Sequence, residues 1–259
     1  MKIVVCVKQV PNTNEVKIDP VKGTLIRDGV PSIINPDDKH ALEESLRLKE
    51  SNGAHVTVIT MGPPQAEAAL REALAMGADR AILITDRAFA GADTLATSNA
   101  LAGAIRQIEA DVIFTGRQAI DGDTAQVGPG IAEHLGLPQV TYVEGIQVKE
   151  GFLEIRKALE DGYEVVEVEL PCILTAIDTL NEPRYMNMAD IFTCYSKEVE
   201  IWNADHIGVD KELLGLKGSP TKVFKSWTKE AKGKGEIIKA TPKEAAIHAV
   251  SRLQEKHFI

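Results

Sequence analysis

The feature that most constrains this chain is an alternation of short apolar, β-branched runs with longer amphipathic stretches. "KIVVCVK" (2–8), "HVTVITM" (55–61), "RAILIT" (80–85) and "DVIFTG" (111–116) read as buried strands. Between them, 37–51, 64–77 and 93–109 read as helices, and 124–136 follows as another. Pro64 stands near a first turn, Gly77 at a C-cap, and Asp93 or Thr94 at an N-cap. Strands and helices that alternate through short loops build a mostly parallel sheet covered by helices. An α/β fold is therefore expected, although the helix at 124–136 contains an awkward Gly-Pro-Gly.

The pattern changes beyond residue 150. Two alternating runs in 152–170 flank Glu160-Asp161-Gly162, a hairpin signal, and "PCILTAI" (171–177) reads as another buried strand. A weaker pair, 16–19 and 24–29, is joined through Gly23. Beyond 195 only 242–257 has good helical periodicity, and 203–239 carries almost none. A structureless stretch of that length fits an arm on another subunit better than a loop inside a compact domain. Charge divides in the same place: residues 211–259 carry +6 and residues 1–210 carry −15, giving −9 over 259 residues. That acidic balance argues against general nucleic-acid binding. No apolar run is long enough to span a bilayer, and Lys8 interrupts the first one too early for a signal peptide. Cys6, Cys172 and Cys194 have no metal spacing and suit a reducing cytoplasm.

No Gly-x-x-x-x-Gly-Lys-Ser/Thr loop is present, nor a Gly-x-Gly-x-x-Gly after the first strand. The best phosphate candidate is "GRQAIDGDTAQVGPG" (116–130), which follows a strand and opens a helix. Gly116, Gly122 and Gly128 would permit close backbone approach, and Thr124, Ala125, Gln126 and Val127 would offer free amides. Asp121 and Asp123 suit a helix cap or a ribose hydroxyl better than an anion. The plainer reading is a glycine-containing loop with a cap. "GADTLATS" (91–98) presents Asp93, Thr94, Thr97 and Ser98 at a second helix start, where a simple N-cap is the alternative. "TMGPPQ" (60–65) and "NPDD" (35–38) complete four segment ends around one crevice. No nucleophile elbow and no metal-spaced histidines accompany them, which suits a protein that leaves the hard chemistry to a cofactor.

The stretch "IRKALEDGYEVVEVELPCILT" (155–175) resembles the signature of the electron-transfer flavoprotein β subunit. Its matching residues are Lys157, Glu160-Asp161-Gly162, Glu164, Val166 and Pro171 through Thr175. The resemblance extends over "CVKQVP", "NPDD", "TMGPPQ", "ALAMGADR", "GRQAIDGDTAQVG" and "LNEPRYMNM", most of residues 1–192. It implies a Rossmann-like, adenine-nucleotide-hydrolase-like core at 1–192 and a C-terminal arm with a helix at 193–259 wrapping a larger α subunit. The implied nucleotide contacts are Cys6, Val7 and Lys8; Asn35 and Asp38; Met61 and Gly62; and Gly116, Arg117, Gln118 and Asp121 through Gly128.

Ordinary members hold AMP in this subunit, and electron-bifurcating members hold a second FAD. "ADTLATS" and "VPNTNEVKIDPVKGTLIRDG" resemble the clostridial bifurcating group, which favours FAD, with Asp93, Thr94 and Thr97 at its diphosphate. NADH would then be the donor. Ferredoxin or flavodoxin and a partner dehydrogenase would be acceptors, the latter acting on acyl-CoA or enoyl-CoA or being a flavin-dependent lactate dehydrogenase. "LNEPRYMNMADI" (180–191) resembles the family's partner-recognition loop, with Met188 as apolar anchor flanked by Tyr185 and Met186. The alternatives are an ordinary AMP-binding member and, in another class, a stand-alone adenine-nucleotide-binding protein.

Overall fold

The computed structural model describes residues 1–12, 31–224, 233, 235 and 237–259. They fall into two units, 1–224 and 225–259. The expected pair at 16–19 and 24–29 lies outside the described residues.

In the first unit, β1 (Lys2–Cys6) leads into a short antiparallel ribbon of β2 (Gln9–Pro11) and β3 (Ser32–Ile34). Next comes α1 (Pro36–Asn52), with Pro36 in its first turn and Gly53 closing it in a left-handed conformation. Then follow β4 (His55–Met61), α2 (Glu67–Met76), β5 (Arg80–Ile84), α3 (Thr94–Arg106), β6 (Val112–Gly116) and α4 (Val127–Leu135). The chain continues through β7 (Gln139–Val148), β8 (Phe152–Leu159), β9 (Gly162–Glu169), β10 (Cys172–Ala176), α5 (Met188–Thr193) and β11 (Val199–Trp202).

One nine-stranded sheet results, in the order β11-β5-β4-β1-β6-β10-β7-β8-β9. Pairing is parallel from β11 to β7 and antiparallel through β7, β8 and β9. The central strands are mostly apolar because both faces are covered, with threonines as their buried polar residues. Val5, Val58 and Phe114 pack with Leu42, Leu46, Leu70 and Leu74 of α1 and α2 on one face. Val4, Ile59, Ile82 and Ile113 pack with Leu101, Ile105 and Ile131 of α3 and α4 on the other.

The chain leaves β1 to build β4 and β5 on one side, then crosses back to place β6 on the other. Val4 thus lies between Thr57 of β4 and Ile113 of β6. This reversal separates the loops after β1 and β6 and opens a crevice at their carboxyl ends.

The first unit reaches Phe224, beyond the expected division at residue 192. Two contacts carry it there. β11 extends the parallel sheet beside β5, and Ala204, Ile207 and Leu214 are buried with the α3/α4 face. Residues 203–224, expected within a free arm, therefore belong to the packed unit. In the second unit, α6 (Pro242–Glu255) opens with a capping box between Thr241 and Glu244. It buries none of its residues and exposes Ile247, Val250 and Leu253 at three-residue spacing.

Candidate functional site

The crevice beside β1 and β6 is a cavity of about 810 Å³. Every nucleotide-contact candidate from the sequence lines it except Asn35 and Asp121. The sequence reading missed most of its far wall, the Thr85 to Ala90 stretch after β5 that leads into the 91–98 segment. There Asp86 caps a single 3₁₀ turn, Arg87–Phe89, which tucks Phe89 inward. The available signal was an Asp directly after a buried strand.

Asp38, in the first turn of α1, organises the two strand ends. Its carboxylate accepts the Lys8 N–H at 2.8 Å and the Gly116 N–H at 3.0 Å, and Asn35 also bonds to it. Burial is the largest influence on this acid and pushes it up to about 7, with Asp37 adding repulsion while the hydrogen bonds oppose the rise. Burial also pushes up the Cys6 thiol, with Asp38 contributing, so Cys6 is a neutral wall residue.

Asn35 is fully buried and pins the 116–127 loop rather than lining the cavity. Its side chain donates to the Gln118 carbonyl at 2.8 Å and accepts the Ile120 N–H at 3.0 Å. Asp121 accepts from Lys8 Nζ at 2.7 Å, and Asp123 accepts from the Gln118 amide. Neither caps α4, contrary to one sequence expectation.

The helix expected from residue 124 begins at Val127, because Asp123 and Ala125 are left-handed at φ 53°. Gly-Pro-Gly then falls in the first turn, where Pro129 forfeits no intrahelical bond. Ala125 is followed by Gln126 at φ −106°, ψ −21°. A left-to-right alternation of this kind makes consecutive amides converge into an anion-binding nest. Among the described residues, the N–H groups of Thr124 to Gly128 meet no protein acceptor.

Two of the three glycines are required by the protein's own packing. A Cβ on Gly116 would stand 2.3 Å from Asp38 Oδ1, and one on Gly128 would stand 2.7 Å from Thr115 Oγ1. Both permit protein packing, while Gly122 faces open space.

The second helix start lies beside the first: Thr94 Oγ1 donates to Gln126 Oε1 at 2.8 Å. Asp93 is the N-cap of α3, accepting the Ala96 N–H at 3.0 Å, and its other oxygen receives the Thr221 hydroxyl at 2.7 Å. Burial works against its charge, but these bonds hold the acid below its usual range. Asp93 therefore ties 215–221 to the crevice rim. Thr115 Oγ1 is buried at the cavity wall without a partner among the described residues. Free amides, an orphaned hydroxyl and a far wall that offers Phe89 and Ala90 beside polar groups together suit a phosphate-bearing ring compound.

After Arg184, which pairs with Glu43 and Glu50 of α1, Tyr185, Met186 and Met188 all reach solvent. Among the described residues no helix is long and apolar enough to cross a membrane, and no side-chain group suits a metal ion.

Fold and crevice together define a Rossmann-like α/β protein whose ligand crevice lies at a sheet's topological switch point. The family profile described as Electron transfer flavoprotein domain matches residues 22–207. The chain is 68% identical over 259 residues to the electron transfer flavoprotein subunit beta of Clostridium acetobutylicum, covering all of both chains. It is 55% identical over 262 residues to the caffeyl-CoA reductase-Etf complex subunit CarD of Acetobacterium woodii, again covering both fully. The acryloyl-CoA reductase electron transfer subunit gamma of Anaerotignum propionicum is 48% identical over 268 residues and the whole of both chains. The chain belongs to the electron transfer flavoprotein β-subunit family.

Proposed function

We propose that this chain is the β subunit of a heterodimeric, electron-bifurcating flavoprotein and that its crevice holds FAD. NADH is the donor to the complex. Ferredoxin or flavodoxin is one acceptor, and a partner dehydrogenase, reached through the α subunit, is the other. The carrying observation is the pair of helix starts joined by Thr94 and Gln126, with the unbonded amides of 124–128 between strand end and helix. A diphosphate can use both starts, and the cavity continues past them to the Phe89 wall. The printed names of relatives that serve caffeyl-CoA and acryloyl-CoA reductases add support for an acyl-CoA-type partner.

Bound FAD supplies the chemistry of both one- and two-electron exchange. The chain's residues position and shield it. The amides of Thr124 to Gly128 hold phosphate oxygens. Met61, Pro63 and Phe89 line the cavity and would shield a bound ring system from water. Asn35 fixes the 116–127 loop from behind, and Asp38 clamps the two strand ends at the cavity wall. Residues 180–191 recognise the dehydrogenase, and residues 225–259 clasp the α subunit as an arm.

AMP is the second reading, favoured by the fact that a single phosphate would satisfy the nest at 124–128. The test is to release and count nucleotides from the heterodimer purified after co-expression. Two FAD per heterodimer is the expected result. One FAD and one AMP would replace bifurcation with ordinary electron carriage. A colourless, stable monomer that turns over nucleotide would overturn the family-type assembly for this chain.

A further inference from the structure

Large apolar side chains usually reach water singly. Between 185 and 195 six do so together. Tyr185 is 98% exposed, Met188 71%, Phe192 77% and Tyr195 76%, and Met186 and Ile191 are exposed beside them. The helix carrying Met188 and Phe192 buries none of its residues. A segment like this, if loose, would lose much of its binding energy to ordering.

It is staked at both ends instead. Before it, Arg184 donates to Glu43 through Nε at 2.8 Å and Nη2 at 3.1 Å, and it reaches Glu50 through Nη1. The Arg184 backbone N–H also donates to Glu43, at 3.0 Å. Asn181 donates to the His40 carbonyl and to Glu44, each at 3.0 Å. Burial opposes the charge on Glu43, yet Arg184 and Arg47 hold its carboxyl below the ordinary range.

Behind the segment, Arg71 Nη1 donates to the carbonyls of Cys194 at 2.7 Å and Lys197 at 2.6 Å. Its guanidinium is itself held by Glu67 and lies 5.5 Å from the Tyr195 ring centre. Between the stakes, Asn187 caps α5 by accepting the Asp190 N–H at 2.8 Å.

We propose that Arg184 and Arg71 are positioning residues that present 185–195 as a preformed docking surface for an apolar socket on the partner dehydrogenase. Phe192 and Tyr195 extend that surface beyond the loop. This rests on the reading of 180–191 as the recognition segment and adds what holds it and where it ends. A planar guanidinium that bridges two carboxylates, or two carbonyls, fixes backbone direction as a single ammonium cannot.

The test uses the co-expressed heterodimer and whichever butyryl-, caffeyl- or acryloyl-CoA-type dehydrogenase it reduces with the lowest KM. For Arg184→Gln and Arg71→Gln we expect KM for that dehydrogenase to rise about tenfold, with kcat within about twofold. Flavin content should be unchanged, and amides of 181–197 should exchange faster. Arg184→Lys should fall between, because it reaches one carboxylate at a time. An unchanged KM despite faster exchange overturns the positioning role, and so does a raised KM with unchanged exchange. Phe192→Ala with an unchanged KM removes the extension. If Tyr185→Ala and Met188→Ala also leave KM unchanged, or no such dehydrogenase is reduced, the recognition reading itself fails.

Discussion

A buried carboxylate at the wall of the crevice needs a reason, and Asp38 has one. Two backbone N–H groups, from Lys8 and Gly116, need two acceptor oxygens at one point. An aspartate supplies both, and burial opposes its charge. Because its acid is raised from 3.8 to about 7 in the folded chain, the folded state binds the extra proton between those values. Stability from this group is fully present below about pH 4 and is lost as pH rises through about 7. Asp38→Asn should flatten that part of the stability profile, a difference of no more than about 4 kcal/mol at ~1.4 kcal/mol per pKa unit. Urea unfolding of both proteins from pH 4 to 8 measures it, and parallel profiles would sink the idea. Ala125 offers a second residue-level test. Its φ of 53° costs an L-residue roughly 1–2 kcal/mol. Ala125→Gly should therefore keep nucleotide and leave stability unchanged or slightly higher. Ala125→Pro removes both the conformation and the amide, and it should release the nucleotide, read as absorbance lost from the purified complex.

At the level of elements, legibility followed burial. β1, β4, β5, β6 and β10 are covered on both faces, so their sequences are mostly apolar runs and could be read directly. The β8–β9 hairpin was legible from Asp161-Gly162 between alternating runs. β7 was not, because Tyr142 at φ 57° and a register shift before Gly145 break its alternation. β11 has four residues and no fully buried side chain, and α5 buries nothing, so neither has a period to read. In the crevice the loop amides were legible as a glycine-rich strand-to-helix turn. The Asp38 clamp joins residues 78 apart in the chain, and the left-handed Asp123 and Ala125 are not glycines, so neither was. β11 also shows which force holds an edge. The Arg80–Glu200 pair is bidentate at 2.6 and 2.8 Å but about a third exposed, so Glu200→Gln should cost no more than about 1 kcal/mol. Trp202 packs on the α3/α4 core cluster and lies parallel to His206, so Trp202→Ala should cost about 2 kcal/mol or more in thermal unfolding. The reverse ranking would mean that charge, not packing, keeps β11 on the sheet.

Over the whole molecule the charge asymmetry can be assigned to units. Residues 1–224 carry −13 and residues 225–259 carry +4. Charge alone would make a weak clasp, because salt at physiological strength screens exposed pairs beyond about 8 Å. The apolar stripe of Ile247, Val250 and Leu253 on α6 supplies what charge does not, a face that gains by burial. If residues 225–259 are an arm on the α subunit, the charge steers its approach and the stripe holds it. Truncation after Phe224 should then leave a chain with a cooperative melting transition, since the nine-stranded sheet and both core faces remain. The truncated chain should no longer co-purify with the α subunit. Leu253→Asp should weaken the heterodimer at any ionic strength, whereas raising salt to about 0.5 M should slow association with little effect on dissociation. A truncated chain that still binds the α subunit with native affinity would place the whole interface on the first unit and leave the basic tail without this role.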